Sequence, residues 1–86
     1  MAHRVRVPRR VQRQLDKLPS TMFPRIDRQI LALHEEPRPP GVKKMKARTS
    51  AYRVRVGDYR ILFEIDDAAQ EVTLIEIANR REAYRG

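Results

Sequence analysis

The sequence predicts an α+β fold in which two N-terminal antiparallel helices pack on one face of a mainly antiparallel four-stranded sheet. Three observations predict it: two short stretches with helical apolar spacing, a hairpin pattern in mid-chain, and an apolar strand-like run near the end. The expected element order is βααβββ, followed by a short C-terminal helical tail. Residues 1–86 are predicted to form a single domain, because a chain of 86 residues supports one small core.

The first half of the chain predicts one strand and two helices. Residues 3–7 alternate polar and apolar, which is typical of a strand. Pro8 suits a helix start, and an apolar stripe at helical spacing then extends as far as Pro19. This stripe consists of Val11, Leu15 and Leu18. A second helix is expected from a cap at Ser20 or Thr21. Its apolar side comprises Phe23, Ile26, Ile30 and Leu33.

A β-hairpin is predicted around Gly57 and Asp58, a two-residue loop whose leading glycine suits a type II′ turn. The expected pairs are Val56 with Tyr59, Arg55 with Arg60, Val54 with Ile61, Arg53 with Leu62, and Tyr52 with Phe63. One face of the hairpin is then apolar, and the other carries Arg53, Arg55, Arg60 and Glu64. Opposed like charges destabilise a strand pair, so the opposed Arg55 and Arg60 indicate a site for an anion such as phosphate. The alternative is that these arginines merely cover the solvent face of a sheet.

Three further segments complete the predicted fold. Residues 37–41 are proline-rich and predict a linker without structure of its own. Residues 72–78 are apolar at both strand parities, which indicates a central strand covered on both sides. Residues 80–85 predict one or two helical turns, in which Arg80 and Tyr84 share a side.

Composition excludes several classes of function. The chain has no cysteine, and neither His3 nor His34 has a partner at metal-ligand spacing, so no metal site is expected and both histidines are given a structural or solvent role. No glycine-rich phosphate loop and no nucleophilic triad is present, so no cofactor is expected. No apolar run is long enough for a membrane span, and a domain without disulfides suits the cytoplasm.

The net charge of +8 favours a polyanionic partner, most simply nucleic acid. Cleavage of RNA by its own 2′-hydroxyl needs in-line positioning, cations on the transition state and groups that move two protons. Arg53, Arg55, Arg60 and Arg80 suit the cationic role, and Tyr84 could stack on a base or help to move a proton. The remaining candidates for contacts with RNA or the ribosome are Lys43, Lys44, Lys46, Arg48, Arg81 and Arg85.

Residues 52–61, with the sequence YRVRVGDYRI, and residues 80–84, RREAY, resemble the RelE branch of the RelE/ParE toxin superfamily. The resemblance spans nearly the whole chain. It implies a RelE-like domain that acts as the toxin of a type II toxin–antitoxin system. Such a toxin is a ribosome-dependent endoribonuclease that cuts messenger RNA in the ribosomal A site by metal-independent 2′-hydroxyl attack. Position by position, the resemblance implies catalytic roles for Arg53, Arg55, Arg60, Arg80 and Tyr84.

The same resemblance implies the partners. These are a small acidic cognate antitoxin, the 70S ribosome and messenger RNA, with operator DNA bound only through the antitoxin complex and no contact with a membrane.

Two departures from the family pattern leave the proton-transfer group open. The family often has lysine at the positions of Arg53 and Arg55, and arginine cannot act as a base near neutral pH. Several relatives have histidine where this chain has Asn79. The remaining candidates are Tyr84, Glu64 and the lysines of residues 42–50, and Glu64 is favoured instead as a counter-ion of the arginines.

Two rival functions are compatible with parts of the sequence. A ParE-like toxin shares the fold but inhibits DNA gyrase by protein contact and has no need of a cationic cleft, so the hairpin arginines argue against it. A catalytically weak RNA- or DNA-binding module would be satisfied by the charge of +8 alone.

Overall fold

The computed structural model of the chain describes residues 2–45 and 51–79, which contain two helices and five strands. The elements in chain order are β1 (Arg4–Arg6), α1 (Arg9–Asp16), α2 (Phe23–Ala32), β2 (Lys43–Lys44), β3 (Ala51–Val56), β4 (Tyr59–Asp66) and β5 (Glu71–Asn79). The sheet order is β1-β5-β4-β3-β2, in which β1 and β5 are parallel and all other neighbours antiparallel.

The predicted α+β class with two helices is confirmed, but the sheet differs in detail from the prediction. It has five strands instead of four, and the order of the described elements is βααββββ. The parallel pairing of β1 with β5 makes the sheet mixed. The predicted helical tail at residues 80–85 lies outside the described residues.

The core lies between the two helices and one face of the sheet. Val11 and Leu15 of α1 and Ile26 and Ile30 of α2 are buried, as their helical spacing predicts. The buried sheet residues packed with them are Val54, Ile61, Phe63, Ile65, Val72, Leu74 and Ile77. Phe23 differs from the prediction, because 39% of it is exposed.

The start of α2 differs from the predicted capping. The Phe23 amide donates to the Pro19 carbonyl (N–O 3.0 Å), so a turn leads directly into the helix. Its N-cap is Met22, which has helical backbone angles and makes no side-chain capping bond, so neither Ser20 nor Thr21 caps it. A polar cap needs an extended residue whose side chain folds back on the first turn, and Met22 at this position is helical and apolar. Neither helix of the described residues is long and apolar enough to cross a membrane.

The β3–β4 hairpin has the predicted register at all of its predicted pairs. Gly57 has a φ of +58°, whereas Asp58 has no positive φ, which is the pattern that a type II′ turn requires. A Cβ at Gly57 would lie 3.3 Å from a guanidinium nitrogen of Arg25 in α2. The glycine therefore serves both the turn and the close approach of the helix.

A β-bulge explains why β5 is apolar at both parities. Neighbouring residues of β4 pair with Leu74 and Glu76, so Ile75 is an extra residue in β5. The bulge changes which residues share a face, and Val72, Leu74 and Ile77 all reach the core. β5 does lie inside the sheet, between β1 and β4. The bulge accounts for the apolar pattern without the second covering layer that the sequence predicts.

The proline-rich segment is fixed to the sheet by what we call the Arg38 clamp, formed by Arg38, Asp67 and Tyr52. Arg38 Nη2 lies 2.9 Å from Asp67 Oδ2 and 3.3 Å from the Tyr52 hydroxyl. The Arg38 guanidinium also lies 5.1 Å from the centre of the Tyr52 ring, a cation–π geometry. Pro37 and Pro39, on either side of Arg38, are buried.

β2 follows this segment and is the strand that the sequence does not predict. It pairs with β3 through Lys43 opposite Arg53 and Lys44 opposite Tyr52. Two charged residues have no apolar alternation, so no periodicity marks them as a strand. Their strand conformation follows from the open edge of β3, whose backbone groups pair with them.

Candidate anion-binding site

The open face of the sheet carries a pocket of about 130 Å³ that we call the cationic pocket. Its lining residues are Gly41, Lys43, Arg53, Val54, Arg55 and Arg60. On the same scale one water molecule needs roughly 10–15 Å³, so the pocket has room for an anion much larger than water. Four cationic side chains and no carboxylate are among the described residues that line it, so the pocket is a candidate anion-binding site.

Strand register brings these cations together. Arg53 and Arg55 are two apart on β3 and therefore share a face. Arg60 on β4 is directly opposite Arg55, and Lys43 on β2 is directly opposite Arg53. Three neighbouring strands thus each contribute at least one cation to the pocket. The hairpin pattern in the sequence predicts that the three arginines share a face. The position of Lys43 follows only from the pairing of β2 with β3.

Few contacts within the described residues neutralise the pocket. Arg55 donates from Nε to the Gly57 carbonyl oxygen (3.0 Å), which directs its guanidinium at the end of the hairpin. In residues 2–45 and 51–79 the side chains of Lys43 and Arg53 make no hydrogen bond or ion pair. Guanidinium groups bind phosphate oxygens in bidentate fashion, so the arrangement suits a phosphodiester.

The other predicted site residues are distributed unevenly. Lys44 is opposite Tyr52, one residue out of phase with Lys43, and so lies on the other face of the sheet. Arg80, Tyr84 and the remaining predicted contacts with RNA or the ribosome lie outside the described residues. The latter are Lys46, Arg48, Arg81 and Arg85. Their roles stay predictions.

Glu64 is not among the described residues that line the cationic pocket. It lines a second pocket, of about 390 Å³, together with Asp66, Asp67 and Glu71. On β4 it stands two residues from Leu62, the partner of Arg53, and so shares the open face with the arginines. Its role as a counter-ion or a proton-transfer group stays a prediction.

Both histidines make structural contacts with each other's segment. The His3 amide donates to the His34 carbonyl (2.7 Å), and His34 Nδ1 lies 2.9 Å from the His3 carbonyl oxygen. His3 Nε2 also lies 3.4 Å from Asp67. Among the described residues, no group of three or more His, Cys, Asp or Glu could hold a metal ion.

Sequence reasoning missed two residues near the pocket. Gly41 lines it and has a φ of +85°, a conformation that glycine adopts readily. Arg25 comes from α2 and packs against Gly57 at the tip of the hairpin. No sequence signal marks Arg25, because its proximity depends on how the helix crosses the sheet. Gly41 stands in a Pro-Pro-Gly stretch, where a turn signal was available.

The structure combines a single-sheet α+β fold with a cation-lined pocket, and solved toxins share this fold. The chain is similar to a chain of the archaeal RelE–RelB complex from Pyrococcus horikoshii, with 26% identity and a TM-score of 0.82 over 93% of this chain and 97% of that one. A chain of the Mycobacterium tuberculosis toxin–antitoxin complex RelBE2 has 26% identity and a TM-score of 0.79, over 93% of this chain and 100% of that one. The isolated Escherichia coli RelE toxin has a TM-score of 0.79 over 98% of this chain and 97% of that one, and its 20% identity limits the similarity to the fold.

A family model defines the class further. The model described as the ParE toxin of type II toxin–antitoxin systems, parDE, matches residues 5–84. The chain therefore belongs to this toxin family, and the predicted membership of the RelE/ParE superfamily is confirmed. No curated protein matches the chain significantly.

Proposed function

We propose that this type II toxin is an endoribonuclease that cuts messenger RNA in the ribosomal A site. The observation that supports this function best is the cationic pocket, in which Lys43, Arg53, Arg55 and Arg60 converge from three strands, with no carboxylate among the lining residues that the structure describes. Inhibition through protein contact alone requires no such convergence. A phosphodiester in the pocket would offset the mutual repulsion of the cations.

The chemistry follows from these side chains. The 2′-oxygen of a ribose attacks the adjacent phosphorus, the bond to the 5′-oxygen breaks, and a 2′,3′-cyclic phosphate remains. Negative charge accumulates on the phosphorus-bound oxygens in the transition state, where preorganised guanidinium groups stabilise it. Arg53, Arg55 and Arg60 take this role, with Arg80 as a further candidate. The ribosome supplies the in-line geometry that a shallow pocket on a small domain supplies poorly.

Inhibition of DNA gyrase is the second candidate, because the matching family model carries the ParE description. Gyrase inhibition and messenger-RNA cleavage make opposite demands on the pocket. A gyrase inhibitor tolerates neutralisation of the hairpin arginines as long as its protein-contact surface survives. A nuclease that uses these arginines to stabilise its transition state loses activity when they are neutralised.

One set of assays separates these functions. Purified toxin is added to ribosomes programmed with a defined messenger RNA, and the cleavage position and end groups are mapped. Expected are cuts in the A-site codon with cyclic or 3′-phosphate ends, little cutting of naked RNA, and no effect on DNA supercoiling by gyrase. Rapid cutting of free RNA or 3′-hydroxyl ends would contradict the mechanism. Inhibited supercoiling with intact messenger RNA would favour the second candidate, and RNA binding without cleavage would favour a simple binding module.

A small acidic antitoxin is the proposed partner. Several of the similar solved structures are complexes of a toxin with its antitoxin. An open cationic pocket would bind RNA indiscriminately unless covered, and an acidic segment is complementary to it. Binding of the antitoxin should therefore weaken as salt rises, chiefly because its association rate constant falls. Arg53→Glu should lower that rate constant further. An association rate independent of salt and of that substitution would place the antitoxin elsewhere.

A further inference from the structure

The proposed reaction needs a proton donor that arginine cannot supply. When the bond to the 5′-oxygen breaks, the leaving oxygen must gain a proton, or it departs as a high-energy alkoxide. A guanidinium keeps its proton throughout the physiological pH range. Among the described residues that line the cationic pocket, Lys43 has the only ionisable side chain that is not a guanidinium. It is also the only lysine of residues 42–45 on this face of the sheet.

Lys43 is positioned by contacts on both sides of it along the chain. Before it, the Val42 amide donates to the Pro39 carbonyl oxygen (3.0 Å), which closes the turn through Gly41. After it, the Met45 amide donates to the Ala51 carbonyl oxygen (2.8 Å), which continues the pairing of β2 with β3. The backbone at Lys43 is therefore held, although its side chain is exposed.

The Arg38 clamp fixes the other end of the same segment. Arg38 binds Asp67 at the β4–β5 turn and Tyr52 on β3, so the chain enters the turn at Gly41 from a fixed point. Lys43 then lies across from Arg53. A phosphate bound by the Arg53 guanidinium would thus have an ammonium group beside it.

Resting on the proposed function, we propose that Lys43 is the general acid of the cleavage reaction. Its Nζ donates a proton to the 5′-oxygen as the phosphorus–oxygen bond breaks. The products are a 5′-hydroxyl fragment and a 2′,3′-cyclic phosphate. The proton of the attacking 2′-hydroxyl passes to solvent, and neutral Lys43 regains one from solvent, so protons balance over the cycle. The arginines hold the phosphate and stabilise its charge, and only Lys43 changes its protonation state.

The test is a change of leaving group. A messenger RNA is prepared with sulfur in place of the bridging 5′-oxygen at the mapped cleavage position, because a thiolate leaves without protonation. Single-turnover cleavage of this RNA and of the normal RNA on ribosomes is compared for the wild type, Lys43→Arg, Lys43→Ala and Lys17→Arg. Lys43→Arg keeps the charge but replaces the ammonium with a group that does not give up its proton near neutral pH. Lys17→Arg makes the same exchange at the end of α1, outside the lining of the cationic pocket.

The expected result has a clear signature. Lys43→Arg and Lys43→Ala should cleave normal RNA about 100-fold more slowly than the wild type, a typical contribution of a positioned acid. On the sulfur-containing RNA both should approach the wild-type rate. Lys17→Arg should cleave both RNAs at the wild-type rate. Melting curves should show both lysine-to-arginine variants folded.

Two results would overturn the inference in distinguishable ways. If the wild type cleaves but Lys43→Arg is equally slow on both RNAs, or is as fast as the wild type on normal RNA, Lys43 is not the acid, and the proposed function stands. If the wild type cleaves neither RNA on ribosomes, the proposed function fails, and the role of Lys43 fails with it.

Discussion

Two charged regions of the molecule use arginine in opposite ways. At the β4–β5 turn, cations meet carboxylates: Arg38 lies 2.9 Å from Asp67, and Arg6 lies 3.3 Å from Glu71. We call this region the turn cluster. In the cationic pocket, at the other end of the same strands, Arg53 and Arg55 lie beside further cations, and no carboxylate is among the described residues that line it. Arginine therefore joins distant segments in the turn cluster, whereas in the cationic pocket it lies among other cations.

The largest expected effect concerns cleavage, and it should be confined to the pocket. Arg60→Ala removes one preorganised donor from the transition state, for which about 10²–10³-fold in rate is typical. Arg6→Ala, in the turn cluster, removes the same charge from the chain and should leave single-turnover cleavage on ribosomes near the wild-type rate. Equal losses in both variants would mean that net charge, and not the pocket, governs the reaction.

The second expected effect is stabilisation by a bound anion. Inorganic phosphate that binds the folded pocket should raise the melting temperature. At a phosphate concentration ten times its dissociation constant, the free energy of unfolding should rise by about 1.4 kcal/mol. Arg53→Ala should remove most of this increment, whereas Arg6→Ala should keep it. Sodium chloride at matched ionic strength controls for general screening. A phosphate increment that survives in Arg53→Ala would contradict an anion site in the pocket.

The two regions also differ in how far the sequence predicts them. The hairpin wall of the pocket is predictable, because a glycine-led two-residue loop determines the register, and register determines which arginines share a face. The turn cluster is not, because Arg38 and Asp67 are far apart in sequence and meet only when the proline-rich segment crosses the end of the sheet. Local sequence patterns predict which residues share a face of a strand, but they do not predict contacts between segments that are distant in sequence.

The remaining differences from prediction have the same origin. β2 has no apolar alternation and exists because the edge of β3 accepts it, so the position of Lys43 in the pocket cannot be predicted from its neighbours. The bulge at Ile75 shifts which residues of β5 face the core, so core residues occupy both odd and even positions along the strand. In the sequence, this pattern is the same as that of a strand covered on both sides. At α2 the turn over Pro19 replaces a polar cap. At β2 and at the bulge, strand pairing decides the structure, whereas at α2 a local turn hydrogen bond replaces the predicted cap.

A third expected effect is on stability, and it should be confined to the turn cluster. Arg38→Ala removes the contact with the Tyr52 ring, worth about 0.5–1 kcal/mol at an exposed site, which corresponds to roughly 2–8 °C in a domain of this size. Arg53→Ala should not lower the melting temperature, because Arg53 makes no hydrogen bond or ion pair within the described residues. Thermal melts by circular dichroism without added anions measure both. A lower melting temperature for Arg53→Ala than for Arg38→Ala would reverse the assignment of the two regions.

The smallest expected effect is a pH dependence carried by the turn cluster. The hydrogen bond from Arg38, with a smaller one from His3, lowers the pKa of Asp67 below its ordinary value of 3.8. A carboxyl whose pKa is lower in the folded than in the unfolded chain adds stability above the unfolded value. That stability is lost as the pH falls through the folded value. Asp67→Asn should therefore melt below the wild type at pH 7, and the difference should close as the pH falls below about 4.

Asp58→Asn, at the hairpin turn beside the pocket, removes the same charge and serves as the control for net charge. If the melting difference of Asp67→Asn stays constant down to pH 2, or if Asp58→Asn reproduces it, the ion pair with Arg38 contributes nothing to the folded state. The clamp would then rest on the contacts of Arg38 with the Tyr52 ring and hydroxyl and on the burial of Pro37 and Pro39.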